Sequence, residues 1–141
     1  MPVMTYLNTC IFESGALGQI AGALKGQGVS NPFIVTDQGI KAAGILDRLL
    51  DALDTEPAAI FDETVPNPTE VQAKQGAAVY RESGADSIIA LGGGSSMDMA
   101  KMVGLIATHE GPYDRYAAYL GGAKHIKKIP PLIAVPTTSG T

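Results

Sequence analysis

Short apolar runs alternate along the chain with longer stretches whose apolar residues recur at helical spacing. Phe33-Ile34-Val35-Thr36 follows the turn pair Asn31-Pro32 and reads as a buried strand. From Ile40 to Leu53 the residues Ile45, Leu46, Leu49, Leu50 and Leu53 return at three- and four-residue intervals, one face of a helix. The unit then repeats. Ala58-Ala59-Ile60-Phe61 reads as strand, Pro68 to Ser83 as helix, Ser87 to Leu91 as strand, Ser95 to Thr108 as helix, and Leu132-Ile133-Ala134-Val135 as a last strand. Tyr6 to Phe12 and Gly15 to Lys25 carry a weaker strand and helix pattern. Tyr113 to Ala123, between Gly111-Pro112 and Gly121-Gly122, reads as a loop or a short helix. Parallel neighbours need a crossover between them, so this order predicts an α/β fold: a mostly parallel sheet with helices on both faces.

Composition narrows the picture without changing it. A length of 141 residues, 45% of them hydrophobic, suits one domain over residues 1–141 and is short for two. The net charge of −4 argues against a nucleic-acid partner, which needs clustered Lys and Arg; Lys124, Lys127 and Lys128 read as a solvated loop. The single cysteine, Cys10, excludes an intrachain disulfide and is expected to be a small buried or half-buried apolar residue. The start Met1-Pro2-Val3-Met4-Thr5-Tyr6 lacks the charged head and apolar run of a signal peptide. No stretch approaches the roughly 20 apolar residues of a membrane span. These features lead to the expectation of a cytoplasmic protein with no membrane partner.

The chemistry concentrates after the strand at Ser87, in Leu91-Gly92-Gly93-Gly94-Ser95-Ser96-Met97-Asp98-Met99-Ala100-Lys101. Glycines let backbone approach an anion, and a helix start offers unpaired N–H groups and the positive end of the helix dipole, so the run predicts a phosphate cradle. A capping box from Ser95 to Asp98 is a second reading of the same residues, compatible with the first. Asn67 before Pro68, with Glu70 three residues on, is likewise a helix start with Asn as cap. Ligands in open sheets bind beyond the carboxyl ends of the strands, and Asp37, Asn67, Gly92 to Ser95 and Pro136 to Thr141 all fall there. The usual G-x-G-x-x-G fingerprint and the Walker loop are both absent. Asp37 stands about 20 residues after Gly15 and Gly18, the spacing at which an acidic side chain reaches an adenosine ribose, and helix capping is its other reading. Met97, Met99 and Met102 read as packing residues. His109 and His125 are the only histidines, and neither falls in a metal-ligand pattern.

Taken together, Val35-Thr36-Asp37, Val65-Pro66-Asn67-Pro68-Thr69, the run Gly92 to Lys101 and Pro136-Thr137-Thr138-Ser139-Gly140-Thr141 resemble, in order and spacing, the N-terminal domain of the iron-containing alcohol dehydrogenases. The resemblance implies a Rossmann-like domain that binds NAD through Asp37, Asn67, Gly92, Gly93, Gly94, Ser95, Asp98, Thr137, Thr138 and Thr141. It sets Asp98 near the nicotinamide end and the threonines on the adenine and ribose side. Oxidation of a primary alcohol or diol, or reduction of the aldehyde, is the implied activity, with iron or another divalent metal held by a second, helical domain of the full-length parent. The chain stops at Thr141, inside a motif that leads on toward that domain, so the resemblance implies the cofactor half of an enzyme: no catalytic or metal residue of its own, no turnover alone, and a tendency to homo-oligomerise. Two other readings stay open. A dehydroquinate-synthase-like lyase also uses NAD but usually lacks the pattern set here by Ser95, Asp98 and Lys101; a stand-alone nucleotide-binding module needs no second domain.

Overall fold

Four parallel strands form the centre of the molecule in the computed structural model, which describes residues 8–139. They are β1 (Pro32–Val35), β2 (Ala59–Phe61), β3 (Ser87–Gly92) and β4 (Leu132–Pro136), in the order β2-β1-β3-β4. Ile34 lies opposite Ile60 on one side and Ile89 on the other, and Gly92 opposite Pro136. β1 and β3 are buried along their whole length, because helices cover both faces of a parallel sheet, and this is why both read as unbroken apolar runs.

Side chains alternate between the two faces. Phe33, Val35, Ile88 and Ala90 pack with Ala73, Ala77 and Tyr80 of α4 (Glu70–Ser83) and with Met99, Val103 and Ile106 of α5 (Gly94–Thr108). Ile34, Ile89 and Leu91 meet Ile20 and Leu24 of α1 (Ile20–Gly26) on the opposite face. Leu46 and Leu49 complete that second layer, and each such fully buried Leu or Ile contributes about 1.5–3 kcal/mol. Met99 is fully buried and Met97 and Met102 pack against it, in line with the packing role expected of them.

Several boundaries differ from the sequence reading. The helix expected over Ile40 to Leu53 is two, α2 (Gln38–Ala42) and α3 (Ile45–Ala52), because Gly44 takes a left-handed φ of 72° that ends one ladder and starts the next. The α4 helix begins at Glu70: Asn67, itself left-handed at φ 55°, turns the chain, and Thr69 is the cap. Its hydroxyl accepts from Gln72 N–H while the Gln72 side chain reaches back to Thr69 N–H, a reciprocal pair that Asn67 and Glu70 do not form. Residues 8–12 form no strand, and Tyr6 lies outside the described residues. Cys10 is exposed, contrary to the buried or half-buried place expected of it.

The segment from Tyr113 to His125 consists of three 3₁₀ turns, and the buried His109 pins it. Its Nε2 accepts the Lys127 N–H at 2.8 Å, so Nδ1 carries the hydrogen, 3.1 Å from the Leu105 carbonyl. Tyr116 meets the ring edge-on at 5.1 Å. At the amino end of the sheet Asp86 ties the approaches to β1 and β3 together by accepting the N–H groups of Ser30 (2.9 Å) and Asn31 (3.0 Å) and the Ser87 hydroxyl (2.9 Å). Burial works against the Asp86 charge, but these donors outweigh it and hold the carboxyl below its ordinary range.

Candidate functional site

The chain leaves β1 toward β2 on one side and returns through α4 to β3 on the other, so the strand order reverses between β1 and β3. Such a reversal opens a crevice at the carboxyl edge, where open α/β sheets hold their ligands. Asp37 follows β1 there and Gly92 ends β3.

Gly92 sits at φ 145°, a conformation side chains rarely adopt, and a Cβ on it would lie 2.5 Å from Ser96 Oγ and 2.9 Å from Ser96 Cβ. Gly93 is the extended N-cap of α5 and supplies no side-chain cap bond. The helix therefore starts one residue before the expected Ser95, and the Ser95–Asp98 capping box does not form: Ser95 lies within the first turn, and exposed Asp98 pairs with Lys101 at 3.3 Å. The first helical bond runs from Met97 N–H to the Gly93 carbonyl at 3.2 Å. That leaves the N–H groups of Gly94, Ser95 and Ser96 ahead of the ladder, at the positive end of a 15-residue helix.

Around this turn the structure brings several expected residues together. Thr137 N–H donates to the Gly92 carbonyl at 2.9 Å, and a Cβ on Gly93 would lie 3.5 Å from the Thr138 methyl. Asp37 caps α2, its Oδ1 accepting Ile40 N–H at 2.9 Å, while its Oδ2 accepts the Ser96 hydroxyl at 3.3 Å across the crevice. The spacing from Gly15 and Gly18 does not carry the Asp37 assignment, since no strand among the described residues leads into Gly15. The structure places Asp37 two residues beyond the end of β1, as the cap of α2. Asn67 is exposed in the loop after β2, and Thr141 lies outside the described residues.

Three residues at this edge escaped the sequence reading. Ser96 is fully buried, on the same stripe of α5 as Met99, Ala100 and Val103, and a polar residue on an apolar stripe was the available signal. Thr36 and Thr64 are buried, and their hydroxyls have no hydrogen-bond partner among the described residues. Lys41, one turn along from Asp37, is held by Asp62 at 2.6 Å. That hydrogen bond, foremost, keeps the Asp62 carboxyl below its ordinary range against the effect of burial. Two cavities of about 400 and 380 Å³ lie elsewhere, one along Leu50 to Pro57 and one between Glu70, Lys74 and the loop Gly111 to Asp114. At the glycine turn the sheet edge presents the helix N–H donors.

The family model for iron-containing alcohol dehydrogenase matches residues 8–141. The chain belongs to that family. It is 45% identical to 4-hydroxybutyrate dehydrogenase from Cupriavidus necator over 142 residues, covering all of this chain and 37% of that protein. Sulfoacetaldehyde reductase from Bifidobacterium kashiwanohense, solved in complex with NAD+, aligns with 90% of this chain and 33% of its own at 30% identity and a TM-score of 0.78. NADH-dependent butanol dehydrogenase A from Thermotoga maritima aligns at 25% identity and a TM-score of 0.81, over all of this chain and 35% of its own. The chain thus spans about a third of the length of these relatives. Among the described residues no group of three His, Cys, Asp or Glu side chains is placed to hold a metal ion.

Proposed function

We propose that this chain is the NAD-binding part of an alcohol dehydrogenase that moves hydride between a nicotinamide and a primary alcohol or diol, or the matching aldehyde. One observation carries the reading: a glycine turn at the reversal of strand order, with three helix N–H groups ahead of the ladder and a backbone too close to Ser96 for any side chain at Gly92. This donor set fits a pyrophosphate, which needs several N–H groups and close backbone approach. Gly92, Gly93, Gly94 and Ser95 would hold it. Asp37 would accept the hydroxyls of the adenosine ribose, with Thr137 and Thr138 on the same side and Asn67 and Asp98 along the remaining edge. Lys41, one turn along from Asp37, is engaged by Asp62 rather than turned toward a 2′-phosphate, and the Asp37 carboxylate would repel that group, so NAD is the preferred form. NAD, when bound, supplies the hydride acceptor; the residues of this chain bind and orient it.

Self-association and a cytoplasmic location belong to the same reading. Phe12, Tyr119 and Leu120 are large apolar side chains exposed to solvent, and no described helix is long and apolar enough to cross a membrane. Sedimentation at rising concentration checks the first, a strictly monomeric protein counting against it.

The deciding experiment replaces Gly93 by Val. Gly93 has an ordinary φ of −84° and its Cβ would make only van der Waals contact with Thr138, so the fold should survive. The added side chain would stand between the helix N–H groups and a pyrophosphate. Calorimetry on the full-length protein should show NAD affinity falling at least about tenfold with an unchanged circular dichroism spectrum; equal affinity for wild type and variant would remove the phosphate assignment.

A further inference from the structure

The side chain of Ser96 belongs to none of the roles above, which use only its backbone N–H, yet it lies at the centre of the crevice. Its side chain is wholly buried in the first turn of α5, and its hydroxyl donates to Asp37 Oδ2 at 3.3 Å, joining residues 59 apart in sequence. The contact passes directly beneath Gly92: a Cβ there would lie 2.5 Å from Ser96 Oγ and 3.4 Å from Asp37 Oδ2. The missing side chain of Gly92 is thus the space in which a hydroxyl on α5 reaches a carboxylate at the end of β1.

We infer that Ser96 is a positioning residue for cofactor selection, fixing the orientation in which Asp37 meets the adenosine ribose; the inference rests on the ribose role proposed for Asp37. The Asp37 carboxylate is held at both oxygens, by Ile40 N–H on its own helix and by Ser96 from the neighbouring strand's helix. Turning about its terminal bond would break both hydrogen bonds. A carboxylate accepts at about four positions. Two are used by these donors, and the remaining two suit the paired hydroxyls of a ribose. A fixed carboxylate also cannot swing aside for a 2′-phosphate, so the Ser96 hydroxyl serves discrimination as well as affinity. No other charged side chain hydrogen-bonds either of these two groups among the described residues, so the orientation depends on the two donors alone.

The test measures NAD and NADP dissociation constants by calorimetry on the full-length protein, for wild type, Ser96→Ala, Asp37→Gly and the double variant, with melting temperatures alongside. Ser96→Ala should reduce the NAD-over-NADP preference about fivefold, the size of one hydrogen bond to a charged group at long range. In the Asp37→Gly background the same change should leave the ratio as it is, because there is no carboxylate to orient. Ser96→Cys, of similar shape and a weaker donor, should fall between serine and alanine, and it keeps the test decisive should the alanine variant be unstable. In turnover assays the effect should appear in KM for the cofactor and not in kcat. If Asp37→Gly shifts the ratio and Ser96→Ala does not, the positioning role fails while the ribose role of Asp37 stands. Equal weakening of NAD and NADP by Ser96→Ala, or a fall in melting temperature alone, reduces Ser96 to a structural residue. An unchanged ratio in Asp37→Gly removes the ribose role and this inference with it.

Discussion

Asp86 at the amino end of the sheet and Asp37 at the carboxyl end use the same chemistry to opposite effect. Each accepts a backbone N–H and a serine hydroxyl, and each thereby ties two segments together, Asp86 through the N–H groups of Ser30 and Asn31 and Asp37 through the hydroxyl of Ser96. Asp86 takes a second backbone N–H, so both of its oxygens face donors of the chain that it clamps, and its carboxyl is held below the ordinary range. Asp37 has one N–H and one long hydroxyl contact and stands beside a turn whose helix N–H groups precede the ladder. The direction of the strands decides which end is which. All four run the same way, so helices begin at the carboxyl edge with donors to spare, while the amino edge receives helix ends. A carboxylate with three of its roughly four acceptor positions taken is a clasp, and one with two left for a pair of hydroxyls is a site.

The strongest way to break this contrast is at Gly92. Gly92→Val combines a disfavoured backbone conformation with a collision against Ser96, and the two costs together come to roughly 3–5 kcal/mol. Chemical denaturation should show that loss, and calorimetry should show no NAD binding; a stable variant that binds normally would mean the turn does not hold the cofactor. Asp37→Gly comes next. Glycine is tolerated at a helix cap, but the buried Ser96 hydroxyl loses its carboxylate partner, so stability should fall by about 1–3 kcal/mol, while the NAD-over-NADP ratio should fall on the order of a hundredfold. If stability falls and the ratio holds, Asp37 is a clasp like Asp86.

Asp86→Ala should do the reverse. Removing charge-assisted hydrogen bonds from an exposed carboxylate should cost about 1–2 kcal/mol, less than such bonds are worth when buried, and NAD affinity should not move. The smallest effect is in pH. Because the folded carboxyl lies below its ordinary value of 3.8, its contribution is fully present above that pH and is lost as pH falls through the folded value. The stability gap between wild type and Asp86→Ala in urea should therefore stay constant from pH 7 down to about pH 4.5 and narrow below that; a gap that widens toward acid would reverse the assigned shift.

The sequence reading reached the four strands and the place of the glycine turn because both rest on strong local signals. Ile34 and Ile89 lie between two helical layers, and full burial leaves an apolar run that no polar residue interrupts. Where it failed, backbone geometry decided matters that side-chain spacing does not record. Apolar residues keep helical phase on both sides of Gly44, so the break there is invisible to periodicity and appears only in its positive φ. Two cap signals overlap at Asn67-Pro68-Thr69, and the reciprocal bonds between Thr69 and Gln72 decide between them. The role of Ser96 depends on β3 lying next to β1, a long-range fact that no window of sequence contains. The family resemblance, read from Asp37, Asn67 and the run Gly92 to Lys101, agrees with the match over residues 8–141, because those motifs sit in fixed order on the strand ends.

The adjacency of β1 and β3 also has a consequence for synthesis. At about 5–20 residues per second, roughly 3–12 s separate the addition of Asp37 from that of Ser96 on the ribosome. During that interval β1 can pair with β2, while its other edge, the one that β3 will cover, remains an apolar strand flank without a partner. Unpaired edges of this kind join other chains. The time for which that edge of β1 stands open is thus a matter of translation rate, fixed by the 59 residues between Asp37 and Ser96.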